Sequence, residues 1–231
     1  MFWGADEMTK GGRGYWADHD YHRRQVQGLE GFSGWNRIIT LVKGAKDERD
    51  ANLIRALFLT GGRAGEVGRS KFAGLQKKNI VVKRSENVIV FSQMRVLKKY
   101  KKNGWRVGDN GKKLWLTERV PFSRTFPSPL GEPITEDFVM FLDRFEPEDF
   151  LFPIGPTRIY QIVEAIDSSI WVHWFRSQRA SQLAVEYGFA LHDIVEYFRW
   201  QDVETAMRYA KLNYKDLAKK FPKQEETVRV W

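Results

Sequence analysis

A block of strand-like sequence set inside a chain otherwise patterned as helix limits the possible folds more than any other feature. The segments 80–82, 88–93 and 114–120 are rich in β-branched and aromatic residues and are separated by polar stretches, as short antiparallel strands are. On either side the apolar residues recur three and four apart. Ile38, Ile39, Leu41 and Val42 mark one helix after Trp35; Leu53, Ile54, Leu57 and Phe58 mark the next, behind an acidic start at Asp47 and Glu48. A third, short helix is expected over 66–72. Pro121, Pro127, Pro129 and Pro133 mark the exit from the strands, and Thr135 starts a helix carrying Phe138, Phe141, Leu142 and Phe145. Thr157 can cap a helix with Ile159, Ile162, Val163 and Ile166 on one face, and further helices are expected over 173–187, 191–199 and 203–219. The fold class is α+β: a mostly helical domain over 35–231 with a small antiparallel sheet that bears a basic hairpin. Residues 1–34 are rich in glycine and aromatics without a sustained period, and read as an arm or lead-in segment.

Charge singles out the same block. The 231 residues carry 38 Lys+Arg against 29 Asp+Glu, a net charge of +9. Residues 77–119 hold thirteen basic side chains against three acidic ones, which is +10, so the remainder sums to −1. That imbalance points to one localised anion-binding surface, with nucleic acid as the obvious partner. A solvated lysine-rich hairpin that resists edge-to-edge aggregation has the same composition, and charge alone does not separate the two. The absence of cysteine removes disulfides, thiolate zinc sites and cysteine nucleophiles. Apolar runs such as Leu57-Phe58-Leu59 are far too short to span a membrane. The opening residues lack a basic flank followed by an apolar stretch, so no secretory signal is read and a cytoplasmic location, in the nucleoid or a host cell, is expected.

Several side chains carry chemistry. His173 and Arg176 are three apart on an expected helix and project from one face, where they can grip an anion together. Arg63 follows Thr60-Gly61-Gly62 at a helix start and precedes Glu66; the glycines permit close backbone approach, and helix-terminal N–H groups favour an anion. The segment does not fit a nucleotide-phosphate loop, because 61–71 departs from the required glycine and lysine spacing. Trp200 and Tyr209 are nine apart. On one unbroken helix that spacing is roughly half a turn out of phase, whereas Asp202 as an N-cap would restart the helix and free both aromatics to face one site. Asp18, His19, Asp20 and His22 form a weak zinc pattern, and no metal is expected. His192 beside Asp193 reads as a helix start, and Trp171 and Trp174 as packing residues.

The ordered set resembles the catalytic domain of tyrosine recombinases, the phage-integrase family. Leu57 through Glu66 is similar to the first arginine box, and Val172-His173-Trp174-Phe175-Arg176 to the His-x-x-Arg box. Trp200 stands where the family has His or Trp, Tyr209 lies at the family's nine-residue offset, and Arg119-Val120-Pro121 resembles the end of the second hairpin strand. The resemblance covers roughly 35–215. It implies a DNA breaking and rejoining enzyme of a mobile element or virus that acts without metal or other cofactor. Tyr209 is then the nucleophile that forms a 3′-phosphotyrosyl intermediate; Arg63 and Arg176 bind the phosphate, His173 donates to it or moves a proton from Tyr209, and Trp200 donates its indole N–H or buttresses the site. A hairpin lysine protonates the 5′-hydroxyl: Lys98, with Lys99 as the alternative and Lys101 behind it. Lys99, Lys101, Lys102, Arg106, Lys112 and Lys113 would bind duplex DNA, and a homotetramer on two sites is implied.

Three departures accompany the resemblance. Ser177 follows the second arginine in place of the common His, Arg199 replaces a glycine, and 34 residues are too few for the family's helical core-binding domain, so a truncated or unusually compact enzyme is expected. The same chemistry without synapsis, as in type IB topoisomerases, and a non-cleaving DNA-binding regulator on this scaffold are the alternatives.

Overall fold

The computed structural model describes residues 31–71, 73–96, 100–108, 111–119, 122–201 and 203–209. The described part is α+β, with helices α1 (Trp35–Lys43), α2 (Glu48–Thr60) and the one-turn α3 (Ala64–Val67) ahead of the strands. Five strands follow: β1 (Ile80–Lys83), β2 (Val88–Arg95), β3 (Tyr100–Val107), β4 (Lys113–Arg119) and β5 (Ser123–Pro129). Helices α4 (Thr135–Leu142), α5 (Pro156–Ile166), α6 (Val172–Val185), α7 (Leu191–Phe198) and α8 (Val203–Tyr209) complete the described chain. None of these helices is long and apolar enough to cross a membrane.

The local reasons are ordinary ones. Asp47 caps α2 by accepting from the Asp50 N–H at 2.9 Å, which satisfies an otherwise unbonded helix donor. Helix α5 begins with Pro156 at its first position behind Gly155, so Thr157 lies inside the first turn and is not the cap; proline fits there because that N–H has no helical partner. The short helix α3 starts before 66 and stops at Val67. A Cβ on Gly68 would lie 2.7 Å from the Ile154 carbonyl oxygen, and the chain turns away extended at that glycine.

The strands divide differently from the expected single sheet. β1, β2 and β5 form one antiparallel sheet in the order β1-β2-β5, while β3 and β4 form a separate two-stranded ribbon. Two prolines expected beyond the strands lie inside β5: Pro127 is opposite Val90 and Pro129 opposite Val88. β5 tolerates them because it is an edge strand, with one row of N–H groups that need no ladder partner. Between Phe91 and Met94 the β2–β5 register slips, Gln93 takes φ 52°, and the Gln93 N–H donates to Thr125 Oγ1 at 3.1 Å. This bulge turns Met94 and Arg124 inward together, and both are buried.

The inner face of the sheet and the helices share one core. Phe58, Phe91, Phe126, Phe138, Phe152, Phe175 and Phe198 are all fully buried in it; each contributes about 1.5–3 kcal/mol relative to exposure. Trp174 is buried and Trp171 packs against the same cluster. A buried polar network fastens α6 to β5: Arg179 donates to Glu132 Oε1 at 2.5 Å, to Gln182 Oε1 at 2.6 Å and to Ser128 Oγ at 2.5 Å. Tyr187 donates to the same Glu132 oxygen at 2.9 Å. α6 is thus held on a rigid frame, which matters because it carries His173 and Arg176.

Candidate active site

The site is built around the end of α2. Gly61 closes that helix in the left-handed conformation, φ 51°, which glycine adopts without steric cost. A Cβ there would sit 2.5 Å from the Phe198 ring, and one on Gly62 would sit 2.7 Å from Met94 and Val67. The two glycines therefore let the end of α7 and the strand β2 close on this loop. Arg63 follows directly, at the entrance to α3.

Arg63 and Arg176 meet at Glu66. Arg63 Nη1 donates to Glu66 Oε1 at 2.6 Å, and the Arg63 backbone N–H donates to Oε2 at 3.0 Å. From α6, Arg176 Nη1 donates to the Gly61 carbonyl at 2.7 Å and lies 3.8 Å from Glu66 Oε2. Burial by itself would raise the pKa of Glu66, but the charges of Arg63, Arg176 and Arg124, with the Arg63 N–H, hold it down at about 2. The carboxylate is therefore ionised at any physiological pH and locks both arginines in place. Their exposures differ: the side chain of Arg63 is 19% exposed and that of Arg176 1%.

Aromatic rings cover Arg176. Its guanidinium carbon lies 4.7 Å from the centre of the Phe198 ring and 5.2 Å from that of Trp200, within cation–π range. The two rings stack at 4.6 Å with an interplanar angle of 14°. Trp200 is set by its own backbone, whose N–H donates to Val195 O at 2.9 Å, just past the end of α7. His173 is half-buried one turn before Arg176 on α6. Tyr209 is the last residue of α8, and α8 packs on both α6 and α7.

The fold thus brings Arg63, Arg176 and Trp200 into one cluster, with His173 on the same helix as Arg176 and the helix of Tyr209 against both neighbours. Lys98, Lys99, Asp202 and the segment 18–22 lie outside the described residues. Lys101, Lys102 and Arg106 are on β3, Lys113 starts β4 and Lys112 immediately precedes it; Arg106, Lys112 and Lys113 are exposed. His192 is exposed, 3.1 Å from Asp193, in the first turn of α7. No group of three or more His, Cys, Asp or Glu among the described residues is arranged to hold a metal ion.

Arg124 is a member that the spacing of motifs does not reveal. It is fully buried, donates from Nη2 to the Thr60 carbonyl at 2.6 Å and from Nη1 to the Tyr197 carbonyl at 3.3 Å, and lies 4.2 Å over the Phe126 ring. Burial lowers its pKa to about 10, against the opposing pull of Glu66, so it remains a cation at neutral pH. It ties β5 to the residue before Gly61 and to the end of α7 just ahead of Phe198. The signal was the alternation Arg124, Phe126, Ser128 inward against Ser123, Thr125, Pro127 outward, masked by prolines that read as a strand end.

No protein-family model matches the chain, and no curated protein matches it. Among solved structures, XerA recombinase superimposes with a TM-score of 0.52 at 16% identity, over 83% of this chain and 64% of its own. The chain has the fold of XerA recombinase. It spans just under two thirds of the length of XerA. Two weaker likenesses are the XerH site-specific recombinase bound to difH substrate and the Tn1549 transposon integrase in complex with transposon right end DNA. The first has 14% identity, 83% and 53% coverage and a TM-score of 0.47; the second has 14% identity, 81% and 64% coverage and a TM-score of 0.48. The XerA-like fold is what the boxes around Arg63 and His173 led one to expect.

Proposed function

We propose that this chain cuts and rejoins DNA strands through a 3′-phosphotyrosyl intermediate, as a site-specific recombinase or integrase acting on duplex DNA. The observation that carries the reading is the cluster of Arg63 and Arg176 on one ionised, buried Glu66, capped by Trp200, in a chain with the fold of XerA recombinase.

The chemistry follows from those groups. The Tyr209 oxygen attacks the scissile phosphorus and the bond to the 5′ oxygen breaks, leaving the 3′ phosphate on the tyrosine and a free 5′-hydroxyl. Planar guanidinium forks at Arg63 and Arg176 suit two nonbridging oxygens whose charge grows in the phosphorane. That role asks nothing of a metal. His173 donates to the phosphate or takes the Tyr209 proton, Trp200 donates its indole N–H or buttresses the pocket, and Lys98, or its neighbour Lys99, delivers the proton to the leaving oxygen. Rejoining is the reverse attack by the 5′-hydroxyl of an incoming strand, within a tetramer on two sites. Arg63 is the more exposed of the two arginines, at 19% against 1% for Arg176.

The test is incubation with a library of nicked, end-labelled duplexes in EDTA, read on a denaturing gel. A protein–DNA adduct that is lost in Tyr209→Phe is expected. An adduct that survives this substitution, or cleavage only with added Mg²⁺, would overturn the mechanism.

A further inference from the structure

The four residues ahead of α1 are fastened to α6, two positions past Arg176. The Gln178 side chain is buried and uses both ends of its amide on this segment. Its Oε1 accepts from the Ser33 N–H at 2.7 Å, and its Nε2 donates to the Gly31 carbonyl at 3.0 Å. A side chain 145 positions away from Ser33 thus pairs with the segment as a residue of a neighbouring strand would. Gly31 and Gly34, at φ 61° and 87°, bracket the contact. A Cβ on Gly34 would meet nothing within 4 Å, so that glycine serves the turn rather than a close approach.

Phe32, between the two bonded residues, reaches the other helix. Its ring centre lies 6.2 Å from that of Phe58 on α2 and 5.8 Å from that of Trp35, and Trp35 lies 5.4 Å from Phe58. Arg179, next to Gln178, lays its guanidinium 5.6 Å from the centre of the same Phe58 ring. α2 packs directly on α6, and the segment bridges the two. Phe58 is in the last turn of α2, five residues before Arg63, and Gln178 is two residues after Arg176. Each helix therefore receives the segment close to its own arginine.

We propose that residues 31–34 are a clip that sets the spacing of α2 and α6, and with it the alignment of Arg63 and Arg176 on the phosphate, so that Gln178 and Phe32 are positioning residues for strand cutting. The ground is the tolerance of the chemistry. Two guanidinium forks serve one phosphorane only if both are aimed before the tyrosine attacks, and a misplacement on the order of 1 Å can cost a hundredfold in rate. The bond from Arg176 to the Gly61 carbonyl joins the helices at the arginines themselves. The clip joins them at a second point, and two points fix an angle where one leaves a pivot. This inference rests on the strand-cutting chemistry proposed above.

Three variants of the full chain test this, each assayed below its own melting temperature: Gln178→Met, which keeps the length of the side chain and removes both bonds, Phe32→Ala, and Phe32→Leu. On saturating nicked duplex the first two are expected to form the Tyr209 adduct about tenfold more slowly. Their affinity for the duplex, read by anisotropy, should stay within about twofold of wild type, because phosphate contacts elsewhere supply it. Phe32→Leu, which keeps an apolar side chain against Phe58, should recover most of the rate. A second readout needs no DNA. Carboxyl NMR titration should find Glu66 at about 2 in wild type and higher in Gln178→Met, where burial still raises it and the guanidiniums that hold it down are displaced. Wild-type rates in both Gln178→Met and Phe32→Ala, a loss of affinity that accounts for the loss of rate, or slower cleavage with the Glu66 titration unmoved would each overturn the proposal. Should wild type form no adduct, the catalytic reading falls, and the clip stands or falls with the Glu66 titration.

Discussion

Three guanidiniums, those of Arg63, Arg124 and Arg176, act on the single carboxylate of Glu66, and this arrangement sets what individual substitutions do. The pKa of Glu66 falls from 4.5 to about 2 on folding. A depressed carboxylate contributes stability that is fully present above pH 4.5 and is lost as the pH drops through 2; the contribution is on the order of 3 kcal/mol. Urea denaturation of wild type and Glu66→Gln should therefore show a stability gap that narrows by about that amount between pH 5 and pH 2. A constant gap would mean that Glu66 does not titrate as described. Arg124→Ala removes one member of a buried charged cluster and frees the Thr60 and Tyr197 carbonyls, and is expected to cost about 3–5 kcal/mol by the same measurement. Arg63, Glu66, His173 and Arg176 were legible because each box is a local pattern. Arg124 was not, because the carbonyl it binds lies 64 residues away in sequence and no local rule announces that contact.

Among the elements, the helices were readable from their apolar periodicity, and the sheet only in part. β1 and β2 sit where β-branched residues cluster, but the third strand of that sheet is β5, whose prolines disguised it, while residues 114–119 of the third expected strand belong to the separate ribbon. Pairing partners are a long-range property that strand composition does not encode. Helix ends depended on small local choices, as at Gly68 and Pro156. Arg199, the residue in place of the expected glycine, closes α7 at φ 52°, a conformation that costs a non-glycine residue about 1–2 kcal/mol. Arg199→Gly should therefore raise stability by about 0.5–1 kcal/mol, since its surface pair with Glu196 contributes little; calorimetric melting checks this. Gly61→Ala should act in the opposite sense. It combines a left-handed φ with a clash against Phe198, and is expected to destabilise by about 2–4 kcal/mol and to displace Trp200, which near-ultraviolet circular dichroism would register.

For the molecule as a whole, a nearly neutral body bears one strongly basic block of sequence, and part of that block projects as the exposed β3–β4 ribbon. The roles assigned to its lysines separate in measurement. Lys112→Ala should weaken duplex binding and lower the salt slope by about 1, whereas Lys98→Ala should slow cleavage at unchanged affinity. The central claim is that Tyr209 becomes covalently joined to a 3′ phosphate, and its most direct test is mass spectrometry of the protein after reaction with nicked duplex and exhaustive nuclease digestion. A phosphodeoxynucleotide located on the peptide containing Tyr209 is the predicted result. The same mass on a serine, threonine or other tyrosine, or unmodified protein from a reaction that has cut the DNA, would contradict the account.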